Sequence, residues 1–234
     1  MKMLNPTNEK IKLDIVSDVV CPWCYVGKKR LEEALATLGN PTDIDIEWHP
    51  FQLDPTIPQE GVDRKKYFIK KFGDEGRIRQ MFDHLTNVGK EVGIDFKLDS
   101  IPNAINTFNL HKLLHVAGLE GFQPEAEEML FKAYFSEGKD LQDLTVLTEL
   151  FASYGWDTAK IRQIMDDEAI GLEVRKEIGH FQSLGVSGVP FFIINNTYGI
   201  SGAQPASVFV EALTTVRNEM LQAIEGQVCG PEGC

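Results

Sequence analysis

The sequence predicts an α/β fold split by a large all-helical block. Three observations carry this prediction. The opening fifty residues read strand, helix, strand. From about Asp63 to Met165 the periodicity is almost purely helical. The chain then returns to a helix–strand–strand–helix pattern. The expected division is 1–61 for the first part of the α/β unit, 62–165 for the helical insertion, 166–225 for the second part, and 226–234 for a tail.

Each element has its own signal. Ile11-Lys12-Leu13-Asp14-Ile15-Val16-Ser17 alternates apolar and polar residues, then turns fully apolar at Val19-Val20, as a strand entering a core does. The next run has apolar residues at Val26, Leu31, Leu35 and Leu38 and stops at Gly39, the pattern of a helix. Alternation resumes through Ile44, Ile46, Trp48 and Phe51, with Pro50 as terminator. A right-handed crossover makes these two strands parallel.

Inside the block, 63–71 and 74–92 read as charged amphipathic helices. Asn103 is expected to cap a helix running through Ala104, Phe108, His111 and Leu114 to Gly118. Pro124 opens another that ends at Gly138, 143–154 stops at Gly155, and Asp157 caps a helix through Ile161 and Ile164. A further helix over 167–184 closes at Gly185. Gly188-Val189-Pro190-Phe191-Phe192-Ile193-Ile194-Asn195 is a strand with Pro near its start, where a missing N–H is tolerated. Asn195-Asn196 turns the chain into a second strand over 197–201. The last helix begins at Gly202-Ala203-Gln204-Pro205 and runs through Val208, Leu213 and Val216.

Composition narrows the partners. An apolar fraction of 43% over 234 residues suffices for a sizeable core. A net charge of −12 argues against nucleic acid or an anionic membrane as partner. No apolar run reaches the ~20 residues of a membrane span. The first ten residues hold no apolar stretch of the signal-peptide kind, so a cytoplasmic protein is expected. Cysteine pairs there are more often catalytic, sensing or metal-binding than structural.

Two of the four cysteines stand in Cys21-Pro22-Trp23-Cys24, where the first strand gives way to the first helix. A thiol at a helix N-terminus feels the positive end of the macrodipole and the unpaired N–H groups of the first turn. Both favour the thiolate, the reactive form. Cys24 faces Cys21 across one turn, which lets a small disulfide ring open and close. Pro22 falls in the first turn, where its missing N–H costs nothing. The other pair, Cys229-Gly230-Pro231-Glu232-Gly233-Cys234, can also close a ring, too small to stabilise much but suited to passing disulfides on. His84, His111, His115 and His180 form no ligand set, and Phe131, Phe135, Phe191 and Phe192 read as core.

These residues carry a family resemblance. Asp18-Val19-Val20 before the cysteine motif, Tyr25-Val26-Gly27 after it, Asn106-Thr107, Gly188-Val189-Pro190-Phe191-Phe192 and Gly202-Ala203-Gln204-Pro205 make residues 11–225 resemble the thioredoxin fold. With its helical insertion the chain is similar to the DsbA-like branch, and within it to FrnE-like cytosolic proteins. The resemblance implies a protein-disulfide oxidoreductase with a capacity for isomerisation, acting on protein dithiols and disulfides, with glutathione as a further partner. Cys21 would attack and Cys24 resolve, with Pro22 and Trp23 between them. Val189-Pro190 would be a cis peptide beside the pair, turning the backbone of Val189 toward a bound peptide. Cys229 and Cys234 would be an accessory redox pair. No bound cofactor and no metal is expected.

Two alternatives stand beside this. Glutathione-dependent isomerases and kappa-type transferases resemble the same fold, but they carry Ser where Cys21 stands. A zinc-binding or redox-sensing module could use Cys21, Cys24, Cys229 and Cys234. The chain also departs from thioredoxin, whose buried acid lies six residues before the first cysteine. Ile15 holds that position here. Asp14, Asp18, Glu47 and His49 are the candidates for a proton acceptor of Cys24. Trp23 brings no charge to Cys21, so a poise less oxidising than that of DsbA is expected.

Overall fold

The computed structural model describes residues 10–228, with side chains of the last helix to residue 223. Its sheet has the order β2-β1-β5-β6. β1 (Ile11–Ser17) runs parallel to β2 (Ile44–Pro50), as the β-α-β crossover requires, and antiparallel to β5 (Phe191–Ile194). β6 (Tyr198–Ser201) completes the sheet through a turn in which Asn195 and Asn196 take positive φ. Asn tolerates that region better than most residues. The Val189–Pro190 peptide is cis, at the entry to β5.

α1 (Pro22–Thr37) follows β1 and packs against α9 (Ala206–Val228). The helix lies close to β5 because residue 27 is glycine. A Cβ there would come within 3.1 Å of both Phe192 and Pro190.

The insertion comprises α2 (Arg64–Phe72), α3 (Glu75–Glu91), α4 (Phe108–Leu119), α5 (Gln123–Phe135), α6 (Leu144–Phe151) and α7 (Thr158–Asp166). α8 (Glu168–Ser183) then leads back to the sheet. Aspartates start many of these helices. Asp63, Asp74, Asp143, Asp157 and Asp167 each accept a main-chain N–H of the first turn, satisfying donors that a helix leaves orphaned.

One sequence expectation fails here. Asn103 does not cap a helix. Asn103–Ala104 is β4, paired with β3 (Val62–Asp63) in a small antiparallel sheet. The helix begins at Phe108, with Thr107 as its N-cap residue. Strands of two residues show no periodicity, and Asn suits a turn or a cap equally. The smaller shifts are of one or a few residues: β5 starts at Phe191, and 152–154 is a 3-10 turn that closes α6 before Gly155.

The insertion shares its core with the sheet. Leu13, Ile15, Cys24 and Tyr25 belong to one buried cluster with Leu113, Leu130, Phe131 and Phe151. The Tyr25 ring stacks on Phe131, with centroids 5.2 Å apart. A smaller cluster of Val16, Phe51, Phe181 and Val186 packs α8 on the other face. α4 and α5 reach only the C-terminal end of β2 and the residue just beyond it. Gln123 Nε2 donates to the Trp48 carbonyl at 3.1 Å, and His111 Nε2 to the Phe51 carbonyl at 2.8 Å. Among the described residues no helix is long and apolar enough to cross a membrane.

Candidate active site

Cys21 is the N-cap residue of α1, with extended backbone angles (φ −92°, ψ 109°), and Pro22 occupies the first turn. Its N–H is taken by the Asp18 carbonyl at 2.9 Å, and its own carbonyl accepts from Cys24 N at 3.0 Å. The turn from β1 into α1 is thus locked on both sides of the motif. The Cys21 thiol donates to the Val189 carbonyl at 3.5 Å. The cis peptide and the cysteine pair therefore meet across the chain, as the resemblance implied.

The two thiols differ little in burial. Cys21 is 3% exposed and Cys24 is 1% exposed. What separates them is their surroundings. Cys21 lines a cavity of about 340 Å³. Cys24 faces the core, and burial raises its thiol pKa well above the ordinary value. Cys21 raises it further, while the Asp18 N–H and the Ser17 hydroxyl work the other way without prevailing. Cys24 thus stays a thiol at neutral pH.

The cavity lies between the α1 N-terminus and α2–α3, with Trp23, Tyr67, Phe68, Phe82 and Val189 among its walls. Arg64 forms part of it. Its guanidinium lies 4.5 Å from the Phe68 ring and 5.0 Å from Phe82, and donates to the Leu98 carbonyl. Trp23 leans on His84 at 5.7 Å. Asn106 ties the loop after β2 to the start of α4: it donates to the Ile57 carbonyl at 2.6 Å and accepts from Gln52 Nε2 at 3.0 Å. On the far side, Gly202 N–H donates to the Pro190 carbonyl at 2.9 Å, and Arg30 donates to the Ala203 carbonyl. These bonds fix the segment that carries Val189, just before β5.

The DSBA-like thioredoxin domain matches this chain over residues 12–214. The protein belongs to that family. A probable DsbA oxidoreductase of Streptomyces coelicolor, SCO1869, is 31% identical and has a crystal structure with TM-score 0.80, covering 96% of this chain and 98% of its own. YwbO of Bacillus subtilis, an uncharacterised protein, is 27% identical over 87% of this chain and 96% of its own length. A cytosolic disulfide reductase of Pseudomonas aeruginosa, DsbM, shares the fold at TM-score 0.63 and 19% identity, over 88% of this chain and 99% of that one.

The family frame sorts the four acceptor candidates. Asp14, Glu47 and His49 gather on the α8 side. His49 Nε2 lies 2.7 Å from Asp14 and its Nδ1 2.6 Å from Glu177, while Lys12 bridges Asp14 and Glu47 at 3.0 Å each. Only Asp18 lies at the cysteines, 1% exposed and lining the cavity beside Cys21. Its Oδ2 accepts from Leu53 N at 2.7 Å, and its Oδ1 lies 3.5 Å from His111 Nε2. Asp14, Glu47 and His49 bring their ligand atoms within 4.8 Å of one another, and Lys12 pairs with both carboxylates.

Sequence reasoning set His111 aside as no ligand and gave Glu127 and Ser17 no role. All three are buried polar residues. One signal was available for Glu127: it stands one turn before Leu130 and Phe131, on the apolar face of α5. Cys229 and Cys234 lie outside the described residues.

Proposed function

We propose that the protein is a thiol-disulfide oxidoreductase acting on protein disulfides, with Cys21 as nucleophile and Cys24 as resolving thiol. The observation that carries this reading is the pairing of unlike thiols at one helix start. Cys21 faces a cavity and the Val189 carbonyl, whereas Cys24 is held as a thiol behind it.

The chemistry follows from that asymmetry. Cys21 thiolate attacks a substrate disulfide, one substrate sulfur leaves as thiolate, and a mixed disulfide forms. Cys24 loses its proton and bonds to Cys21, which releases the second substrate sulfur. Run backwards, the same steps oxidise a dithiol, and alternation between them reshuffles disulfides. A substrate segment beside Val189 would pair with its backbone as an added strand, with a side chain in the apolar cavity. Glutathione is a suitable external thiol, Cys229 and Cys234 are an accessory pair, and the setting is the cytoplasm.

The test is insulin reduction and reshuffling of a scrambled disulfide protein. Cys21→Ser should abolish both, and Cys24→Ser should accumulate mixed disulfides. Truncation after Glu225 tests the accessory pair by its effect on the same rates, and cell fractionation tests the setting. A second reading, a glutathione-dependent isomerase or transferase for small electrophiles, is favoured by the apolar cavity beside Cys21. Turnover of small electrophiles with inert protein disulfides would establish it instead.

A further inference from the structure

Glu127 is the only carboxylate among the described residues with a fully buried oxygen that makes no hydrogen bond. The residue is 3% exposed, and the oxygen is Oε2. An uncompensated buried polar group is costly and calls for a reason. Three charged or titratable groups act on Glu127, each from a different element: Lys28 of α1, His111 of α4, and Asp18 of the turn before α1.

Through main-chain hydrogen bonds His111 is tied to the strand end that carries Ser17, beside Cys24. His111 Nε2 donates to the Phe51 carbonyl at 2.8 Å and lies 3.5 Å from Asp18. Phe51 N–H donates to the Ser17 carbonyl at 2.9 Å. The Ser17 hydroxyl is a second buried oxygen without a hydrogen-bond partner, and it stands beside the Cys24 sulfur. Two unsatisfied oxygens thus bracket the cluster, one at the thiol and one at its far end. Beyond Glu127 lies a polar cavity of about 10 Å³, lined by Glu127, His111, His49, His115 and Glu177, at the lower size limit for one water. His49, His115 and Glu177 also line an open surface depression with Lys12, Glu173 and His180.

We propose that Ser17, Asp18, His111 and Glu127 form the proton path of Cys24, with Glu127 as the store and His49–Glu177 as the exit to solvent. The inference rests on the dithiol reading above. In the resolving step the Cys24 S–H bond breaks and its proton enters this path. The Cys24 sulfur bonds to Cys21, the Cys21–substrate S–S bond breaks, and the substrate sulfur departs as thiolate with the electron pair. The enzyme dithiol is oxidised by two electrons and the substrate disulfide reduced by two. Burial, reinforced by Asp18 and opposed by His111 and Lys28, lifts the Glu127 carboxyl to about 7. Near neutral pH it can therefore both accept and release a proton.

The experiment uses the full chain, Glu127→Gln and Ser17→Ala, with dithiothreitol as redox partner and glutathione as the mixed-disulfide probe on Cys21. In the wild type, the plot of reduction potential against pH should bend near 7, at the Glu127 value. Glu127→Gln should remove the bend and slow resolution of the glutathione adduct on the order of a hundredfold, with Cys21 alkylation unchanged. Redox difference infrared spectra should show a protonated-carboxyl band that Glu127→Gln abolishes. Ser17→Ala should slow resolution and keep the bend. An unchanged bend and resolution rate in Glu127→Gln would overturn the path, as would unslowed resolution in Ser17→Ala. A wild type that forms no Cys21–Cys24 disulfide with oxidised dithiothreitol would instead overturn the dithiol reading and the path with it.

Discussion

His49 and His111 each stand near two carboxylates and line one small cavity, yet their surroundings differ in character. Around His49 both ring nitrogens have a carboxylate partner. Asp14 and Glu177 bond its two ring nitrogens, and Lys12 neutralises Asp14 and Glu47. Burial disfavours the imidazolium, but the bonds to Asp14 and Glu177 outweigh it and raise the His49 pKa. Around His111 the charges are dry and poorly matched. His111 is also pushed up, because Asp18 and Glu127 overcome its burial. Glu127 nonetheless keeps a bare oxygen. Both clusters hold an imidazole between carboxylates, but only the one around His111 keeps a fully buried carboxylate oxygen without a partner.

Stability measurements can break this comparison. The largest effect should come from His111→Ala, which leaves Asp18 buried without its cation and the Phe51 carbonyl without its donor. Loss of one partner from a buried charged pair costs about 3–5 kcal/mol, and denaturant unfolding at neutral pH should show it. A loss no larger than that of the His49 variant below would make the two clusters equivalent.

Glu127→Gln should act in the opposite direction. A carboxyl whose pKa is raised on folding binds more protons in the native state, so wild-type stability falls as pH climbs from the ordinary carboxylate range to about 7. The variant escapes that fall. Its advantage should grow across this window and level off above it, at no more than about 3 kcal/mol. Thermal melts across pH would show a constant offset if Glu127 did not titrate.

His49→Gln should cost about 1–2 kcal/mol, with a pH signature of its own. A histidine raised on folding stabilises fully below its unfolded value of ~6.5 and loses that contribution as pH rises through the folded one. The gap between wild type and variant should therefore shrink toward alkaline pH; a gap that widened would contradict the ion cluster. The smallest effect belongs to Lys12→Ala. Its side chain is 44% exposed, and such pairs contribute roughly 0–1 kcal/mol. High salt should erase the difference.

Much of this arrangement could be read before the fold was known. The strand, Cys21-Pro22-Trp23-Cys24 and helix were legible because β1 and α1 have clean periods of their own and Pro22 marks the joint. The aspartates before the insertion helices were equally plain, since a cap is a local device. The β3–β4 pair was not, because two residues cannot display alternation. Glu127 was hidden for a different reason. It sits in Pro124-Glu125-Ala126-Glu127-Glu128, an acidic run that reads as a solvated first turn. Glu128 does serve there, bonding Lys28 and Lys29 at 2.7 and 2.8 Å. The spacing of Glu127 to Leu130 and Phe131 was the one local hint, and the docking of α5 on α1 and α4 makes Glu127 the dry glutamate.

The single core that joins β1 and α1 to the helical block limits how this protein can change over evolutionary time. Tyr25, one residue after Cys24, is seated among Phe96, Phe131 and Phe135 of the insertion. The block is therefore not a cassette that recombination could exchange for another, since a foreign block would unseat the helix bearing both thiols. New substrate preferences must arise by point substitution. The places open to it are α2 and α3, which carry Tyr67, Phe68 and Phe82 toward the cavity while most of their remaining surface faces solvent.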